Sequence, residues 1–281
     1  MKSHANSAVF IGIDRGGTWV RFCGLDARLR RVFSERHPSP LIEDFPALIR
    51  KVLDEKNVPR SARCLAATKG AWTEPRHKDF IRKALKNRLA HVGVISDMEA
   101  SLKAALAGKP GIAVLAGTGA VVFGMNAKGE TLKSGGLGPQ HGDEGSAYNV
   151  ASVHNIILTG KTAPFDRAKV SKTASGARNV LSLAKFGDTM ALSAVTLGRI
   201  KLAGEAARAV RGLGLKSPLR AAYDGSMMKD DFYRAEVFAL LKIYTGIRKI
   251  LPVAAPDSAP WCAHAAAGTK GLQLWKKNFQ H

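Results

Sequence analysis

One local pattern occurs twice and constrains the fold more than anything else in the chain. It is an apolar strand, a glycine–threonine turn and a second strand. The first copy runs Gly12-Ile13-Asp14-Arg15-Gly16-Gly17-Thr18 and continues as a strand over residues 20–25. The second is a strand over residues 111–116, the turn Gly117-Thr118-Gly119 and a strand over 120–125. Each copy opens one half of the chain, and alternating helix and strand patterns follow it, the grammar of an α/β protein. The repetition predicts a duplicated α/β fold of two domains, residues 1–109 and 110–281, with a cleft between the halves.

The coarse pattern fills in the rest. Residues 43–56 read as an amphipathic helix with Phe45, Leu48, Ile49, Val52 and Leu53 on one face. A strand over 64–68, a helix over 79–89 and a strand over 91–96 follow, the last running into Asp97. A helix over 98–107 is stopped by Gly108 and Pro110. In the second half, residues 146–158, 189–210 and 231–250 read as helices, and 219–223 as a strand leading to Asp224-Gly225-Ser226. The stretch 161–187 has weak periodicity and many small polar residues, and reads as irregular.

Composition excludes several classes of protein. A chain of 281 residues, 46% hydrophobic, is long enough for two packed cores. Its longest apolar runs fall short of the roughly 20 residues a membrane-spanning helix needs. The apolar run over residues 8–13 is short and ends at Asp14, so no signal peptide is expected and the cytoplasm is the expected compartment. Cys23, Cys64 and Cys262 have neither disulfide-framework nor metal-ligand spacing. The net charge of +21 is high, but the basic residues are spread at the spacing of solvated helix faces, without a basic tail or an aromatic–glycine RNA motif. Nucleic acid is therefore not the expected partner, whereas a positive field suits an anionic substrate such as ATP.

Each turn has a plain and a chemical reading. Asp14 to Thr18 is either a hairpin turn or a phosphate loop. In the second case Gly16, Gly17 and Thr18 offer N–H groups and a hydroxyl to phosphate, and Asp14 holds Mg²⁺ through water. Gly117, Thr118 and Gly119 have the same two readings, and the repetition favours the phosphate loop. Asp97, between a strand and a helix, suits either a helix N-cap or a general base that takes a proton from an attacking hydroxyl. In the block Gly135-Gly136-Leu137-Gly138-Pro139-Gln140-His141-Gly142-Asp143-Glu144-Gly145-Ser146, the carboxylates either charge the next helix start or serve a ligand. In the ligand reading, Asp143 receives hydrogen bonds from sugar hydroxyls over a floor of residues 136–138.

Taken together, these blocks resemble the BadF/BadG/BcrA/BcrD-type ATPase family, and within it the N-acetylglucosamine and glucosamine kinases, in the actin-like, sugar kinase and Hsp70 ATPase superfamily. The resemblance rests on Gly12 to Thr18, Ser96-Asp97, Gly117 to Gly119, Gly136 to Ser146, Gly225-Ser226 and the closing Ala265-Ala266-Ala267-Gly268. It implies a duplicated actin-like, ribonuclease H-like fold closing on Mg-ATP and a sugar. By position, Asp97 is the base; Thr18, Thr118 and their glycines bind phosphates; Gly136, Leu137, Gly138 and Asp143 contact sugar; Gly225 and Ser226 lie near adenosine. Three departures bear on substrate identity. Ala120 stands where serine is common, no asparagine occurs around Ser39-Pro40, and Pro139-Gln140-His141 fills its loop unusually. The expected activity is phosphorylation of an amino or related sugar with Mg²⁺ and ATP, in a homodimer. The alternatives are an ATPase that drives a protein partner and a basic nucleic-acid-binding protein.

Overall fold

The computed structural model describes residues 7–141 and 143–278. Two compact units emerge, residues 1–108 with 256–281 and residues 109–255. In the first, β1 (Phe10–Arg15), β2 (Trp19–Leu25) and β3 (Arg31–Pro38) form an antiparallel meander. β4 (Arg63–Thr68) and β5 (His91–Ser96) then add in parallel on the other side of β1, giving the order β3-β2-β1-β4-β5. The strand pattern dictates what covers the sheet. Ile11, Ile13 and Phe22 face one side, where α1 (Phe45–Glu55) lays its apolar stripe of Phe45, Ile49, Val52 and Leu53 into a shared core. α2 (Arg76–Leu85) contributes Ile81 and Leu85 to that core, and α3 (Asp97–Leu106) follows β5 directly.

The second unit repeats the plan. β6 (Gly111–Ala116), β7 (Ala120–Met125) and β8 (Thr131–Gly135) form the meander. β9 (Leu219–Asp224) and β10 (Ile250–Ala254) add in parallel, giving the order β10-β9-β6-β7-β8. Its helices are α4 (Ala147–Thr159), α5 (Val170–Ser175), α6 (Ala177–Lys185), α7 (Thr189–Gly212) and α8 (Asp231–Thr245). The two sheets thus have one strand order and one pattern of parallel and antiparallel pairs, which is the structural form of the duplication.

After β10 the chain returns to the first unit as α9 (Ser258–Ala266) and α10 (Thr269–Asn278). α9 packs against β1 at backbone distance. Any side chain at Gly12 would overlap the Ala259 carbonyl and the Ala263 amide, so glycine is required there. Cys23, Leu25, Ala259 and Ala263 form a small apolar cluster beside it. The Trp275 indole of α10 donates a 3.1 Å hydrogen bond to the carbonyl of Ala104 in α3.

The structure corrects several readings of the sequence. The stretch 161–187 is irregular only at its start: residues 170–175 and 177–185 form α5 and α6, whose buried residues include Ala174, Ala177 and Ala184 beside Val180 and Leu181. Both helices are too short for their period to stand out in the sequence. The helix expected over 231–250 ends at Thr245, where Gly246 adopts φ 69° and stops it, and residues 250–254 form a strand instead. The helix expected over 79–89 starts three residues earlier, at Arg76, and ends at Leu85. Among the described residues no single helix is long and apolar enough to cross a membrane.

Candidate functional site

In the first unit the strand register gathers the chemistry at one edge. Arg15 of β1 pairs with Thr68 of β4, and Thr68 pairs with Ser96 of β5. The residues that follow these three strand ends, Gly16, Lys69 and Asp97, therefore emerge side by side at the carboxyl ends of parallel strands. That is where α/β sheets bind ligands. The Gly16-Gly17-Thr18 turn is closed by a 2.9 Å hydrogen bond from the Gly16 amide to the Trp19 carbonyl. Ser39 straps it from outside: its hydroxyl donates to the Gly16 carbonyl, and its amide donates to that of Thr18, both at 2.9 Å. Arg15 donates to the carbonyl of Pro40 at 2.6 Å. The Ser39-Pro40 segment, which lacks the amino-sugar kinases' asparagine, here holds the loop in shape.

Asp97 is not a helix cap. Ser96 takes that role, its hydroxyl accepting from the Glu99 amide at 3.1 Å. This assigns Asp97 to the first helical position, half-buried, with one carboxylate oxygen accepting from the Met98 amide at 3.0 Å. Burial raises its pKa above the ordinary carboxylate value, while the Met98 hydrogen bond and the charges of Lys69 and Arg15 pull it down. Asp14, 8% exposed, is pushed up to about 7, mainly by burial and further by Asp97 and Asp257, against the lowering pull of Ser258 and Arg21. Arg21 stands 3.6 Å from Asp14 and 3.8 Å from Asp257. The charge of Asp97 adds to the rise at Asp14, and a divalent cation held there mainly through water would relieve it.

The second unit builds its own cluster. The Gly117 amide donates to the Gly119 carbonyl at 2.9 Å, and the first turn of α4 closes over the loop. The amides of Ala147 and Tyr148 donate to the carbonyls of Gly117 and Thr118 at 2.8 and 3.4 Å. Ser146 caps that helix by accepting from the Asn149 amide at 3.1 Å. Asp143 is buried at φ 55° and accepts from the Gly138 amide at 3.1 Å. Its carboxylate lies against the loop so closely that a Cβ at residue 119 would stand 2.6 Å from it. Glycine at 119 is the space Asp143 occupies. Gly225, at φ 94°, presses on the same loop: a Cβ there would overlap the Ala116 carbonyl, and the Met227 amide donates to that oxygen at 2.9 Å.

Gly117, Thr118, Gly119, Gly138, Asp143, Gly225 and Ser226 are therefore neighbours within one unit. Gly136 joins them on the positive-φ stretch after β8, where Lys133 donates to its carbonyl at 2.8 Å. Leu137 is 68% exposed beside them. Gly142 lies outside the described residues. Gly145 packs against Gly198 of α7, and its carbonyl accepts from the buried Tyr233 hydroxyl at 2.8 Å, so two helices brace the block from behind. Asp14, Gly16, Gly17, Thr18 and Asp97 make up the cluster in the first unit. Sequence reasoning took Arg21 for a surface residue and gave no role to Lys69 or Asp257; Lys69 stands out only by its place directly after a parallel strand.

All three cysteines are buried in strands or helices of the first unit. Burial pushes the thiols of Cys23 and Cys64 up to about 11 and about 12, which makes them poor metal ligands.

No family model matches the chain. An N-acetylmuramic acid/N-acetylglucosamine kinase of Clostridium acetobutylicum is 31% identical over 156 residues, 50% of each chain. The chain spans about half the length of the curated relatives it matches. A solved structure from Chromobacterium violaceum, named as a candidate N-acetylglucosamine kinase, superposes with TM-score 0.63 at 19% identity, over 96% of this chain and 99% of that one. A glucokinase of the ROK family from Streptomyces griseus, solved with glucose and AMPPNP, gives 0.60 at 13% identity, over 95% and 99%. The chain thus has the two-domain actin-like fold of sugar kinases over nearly all its length, and its sequence is similar to N-acetylglucosamine kinases over half of it.

Proposed function

We propose that the chain is an ATP-dependent phosphotransferase acting on an amino sugar, N-acetylglucosamine or glucosamine, or a related sugar. The observation that carries this reading is Asp97. Ser96 caps the helix in its place, and the strand register sets Asp97 beside a glycine–threonine loop at the carboxyl edge of the sheet. A carboxylate with a raised pKa is a stronger base than an ordinary one, and the charges of Lys69 and Arg15 favour its ionised form.

Asp97 takes the proton of the acceptor hydroxyl as its oxygen attacks the γ-phosphorus. The loops at Gly16 to Thr18 and Gly117 to Gly119 present N–H groups and hydroxyls to the phosphates. Asp143 orients the sugar, with Gly136, Leu137 and Gly138 as the floor, and Gly225 and Ser226 flank the nucleoside. Mg²⁺, when bound near Asp14, supplies charge neutralisation at the triphosphate. The names of the relatives support an amino-sugar acceptor. The same names favour the kinase over the alternative of an ATPase that drives a protein partner. The same reading includes a cytoplasmic homodimer, which light scattering would check.

The test is ADP release with Mg-ATP and glucosamine, N-acetylglucosamine, N-acetylmannosamine, glucose or no acceptor, for the native protein and Asp97→Asn. Turnover that requires one acceptor and falls roughly 10²- to 10⁴-fold in the variant is expected, the range for loss of a general base. Hydrolysis independent of every acceptor would refute the sugar-kinase reading.

A further inference from the structure

Lys69 has no role in the reading above. It directly follows β4, between the loop after β1 and the base after β5. Its backbone is fixed. The Lys69 amide donates to the Arg15 carbonyl at 2.9 Å, and the Ala71 amide donates to the Thr68 carbonyl at 3.3 Å across a tight turn. Gly70 supplies that turn's positive φ of 85°. The side chain leaves this anchored stem and runs toward the phosphate loop. An atom at the Cβ position of Gly17 would stand 3.6 Å from Lys69 Nζ. Lys69 is exposed, and among the described residues no hydrogen bond or salt bridge engages its amine, whereas Lys103, Lys185, Lys201 and Lys229 are each paired with a carboxylate. It is also close enough to Asp97 to stabilise the ionised carboxylate. Arg15, the other cation near Asp97, is committed to Pro40 and Thr68. Lys69 is thus a cation on a rigid turn, between a glycine loop shaped for phosphate and a carboxylate placed as a base.

We propose that Lys69 is a catalytic residue whose ammonium binds the γ-phosphoryl group of ATP over the Gly16-Gly17-Thr18 loop and stabilises the charge it carries during transfer. The inference rests on the kinase reading and deepens it. In the transfer, the acceptor oxygen forms the new bond to the γ-phosphorus and its proton goes to Asp97. The bond from that phosphorus to the β,γ-bridging oxygen breaks, and its electron pair leaves with ADP. Lys69 gives up no proton; it holds the equatorial oxygens, as a compact cation on a flexible stem can. ADP lacks those oxygens, so Lys69 discriminates ATP from ADP before any chemistry occurs.

The experiment compares native protein, Lys69→Met and Lys69→Arg. Nucleotide affinity for ATP and ADP is measured by calorimetry without acceptor, and steady-state kinetics with the acceptor that supports native turnover. Lys69→Met is expected to lose the native preference for ATP over ADP, and to lower kcat roughly 10²-fold, the usual effect of removing one preorganised partner of a developing charge. The KM for the sugar should be nearly unchanged, and Lys69→Arg should recover most of the loss. Being exposed, Lys69 can be replaced without emptying the core, and unchanged melting of the variants would confirm their folding. An unaltered kcat and ATP preference in Lys69→Met overturns the proposal, as does a rise confined to the KM of an acidic sugar. If no acceptor supports native turnover, the kinase reading fails, while the ATP-to-ADP preference still decides whether Lys69 binds the γ-phosphate. If native protein binds neither nucleotide, both fail.

Discussion

Asp14 should make the ligand-free protein less stable as pH rises, and Asp14→Asn should remove that loss. The carboxyl is buried, and its pKa is raised from an ordinary 3.8 to about 7. A raised pKa means that the folded chain holds the proton more tightly than the unfolded chain. The associated stability is fully present below about pH 4 and is lost progressively up to about pH 7. A shift of that size, about 3 pH units at 1.36 kcal/mol each, corresponds to roughly 4 kcal/mol. This is an upper figure, because Asn keeps only part of the interaction with Arg21 and Ser258. A net gain of about 2 kcal/mol at pH 8 is a fair expectation, equivalent to roughly 6–10 °C in Tm for a unit of this size. The assay is thermal unfolding of native protein and Asp14→Asn in chelator-containing buffer, from pH 4 to pH 8.5. The two curves should converge near pH 4, separate progressively between about pH 4 and pH 7 with the variant higher, and run nearly parallel above that. Asp97, whose pKa is also raised, adds a slope of the same sign in the variant, and Asp97→Asn in the same background should remove that share. Parallel curves across the whole range would refute the reasoning, because they would mean that Asp14 is already ionised at low pH in the folded chain.

Other consequences concern the second unit. Gly225→Ala places a methyl group onto the Ala116 carbonyl at a φ of 94°, so the backbone must move; about 1–3 kcal/mol of strain is expected before any clash, visible as a lower Tm and weaker nucleotide binding. Gly119→Ala pushes on the Asp143 carboxylate and should raise the KM for the sugar more than the KM for ATP; an equal rise in both would count against Asp143 as a sugar ligand. Tyr233→Phe removes a buried hydroxyl that donates to the Gly145 carbonyl and should cost about 1–3 kcal/mol in urea unfolding.

The duplicated opening was legible because strand, turn and strand are local, and local signals survive in sequence. β3 and β8 were not, since strands with alternating polar residues declare themselves only when a neighbour pairs with them, and the apolar β10 was partly absorbed into the helix expected before it. Helices α5 and α6 hid because they are short, 6 and 9 residues, and separated by Gly176, so neither fills the longer window in which a helical period stands out. At the site, the pairing of loops within each unit could be anticipated from glycine placement. The division of labour between Ser96 and Asp97 could not, because both residues make good caps and only backbone geometry decides which does. Lys69 was missed because one lysine in a basic chain carries no local mark; the register of β1, β4 and β5 gives it its position.

The return of the chain as α9 and α10 separates the order of synthesis from the order of completion. Residues 109–255 contain every strand of the second sheet and can close their core while the rest is still being made. The first sheet cannot. Its strands leave the ribosome before residues 109–255, yet the side of β1 at Gly12 waits for Ala259 and Ala263, and Ala100 and Ala104 wait for Trp261 and Trp275. Until α9 and α10 are made, this half keeps one apolar side uncovered, and at ordinary elongation speeds that interval lasts roughly ten seconds or more. A chaperone would meet the protein at that side of β1 and α3, and the docking of α9 and α10 would release it.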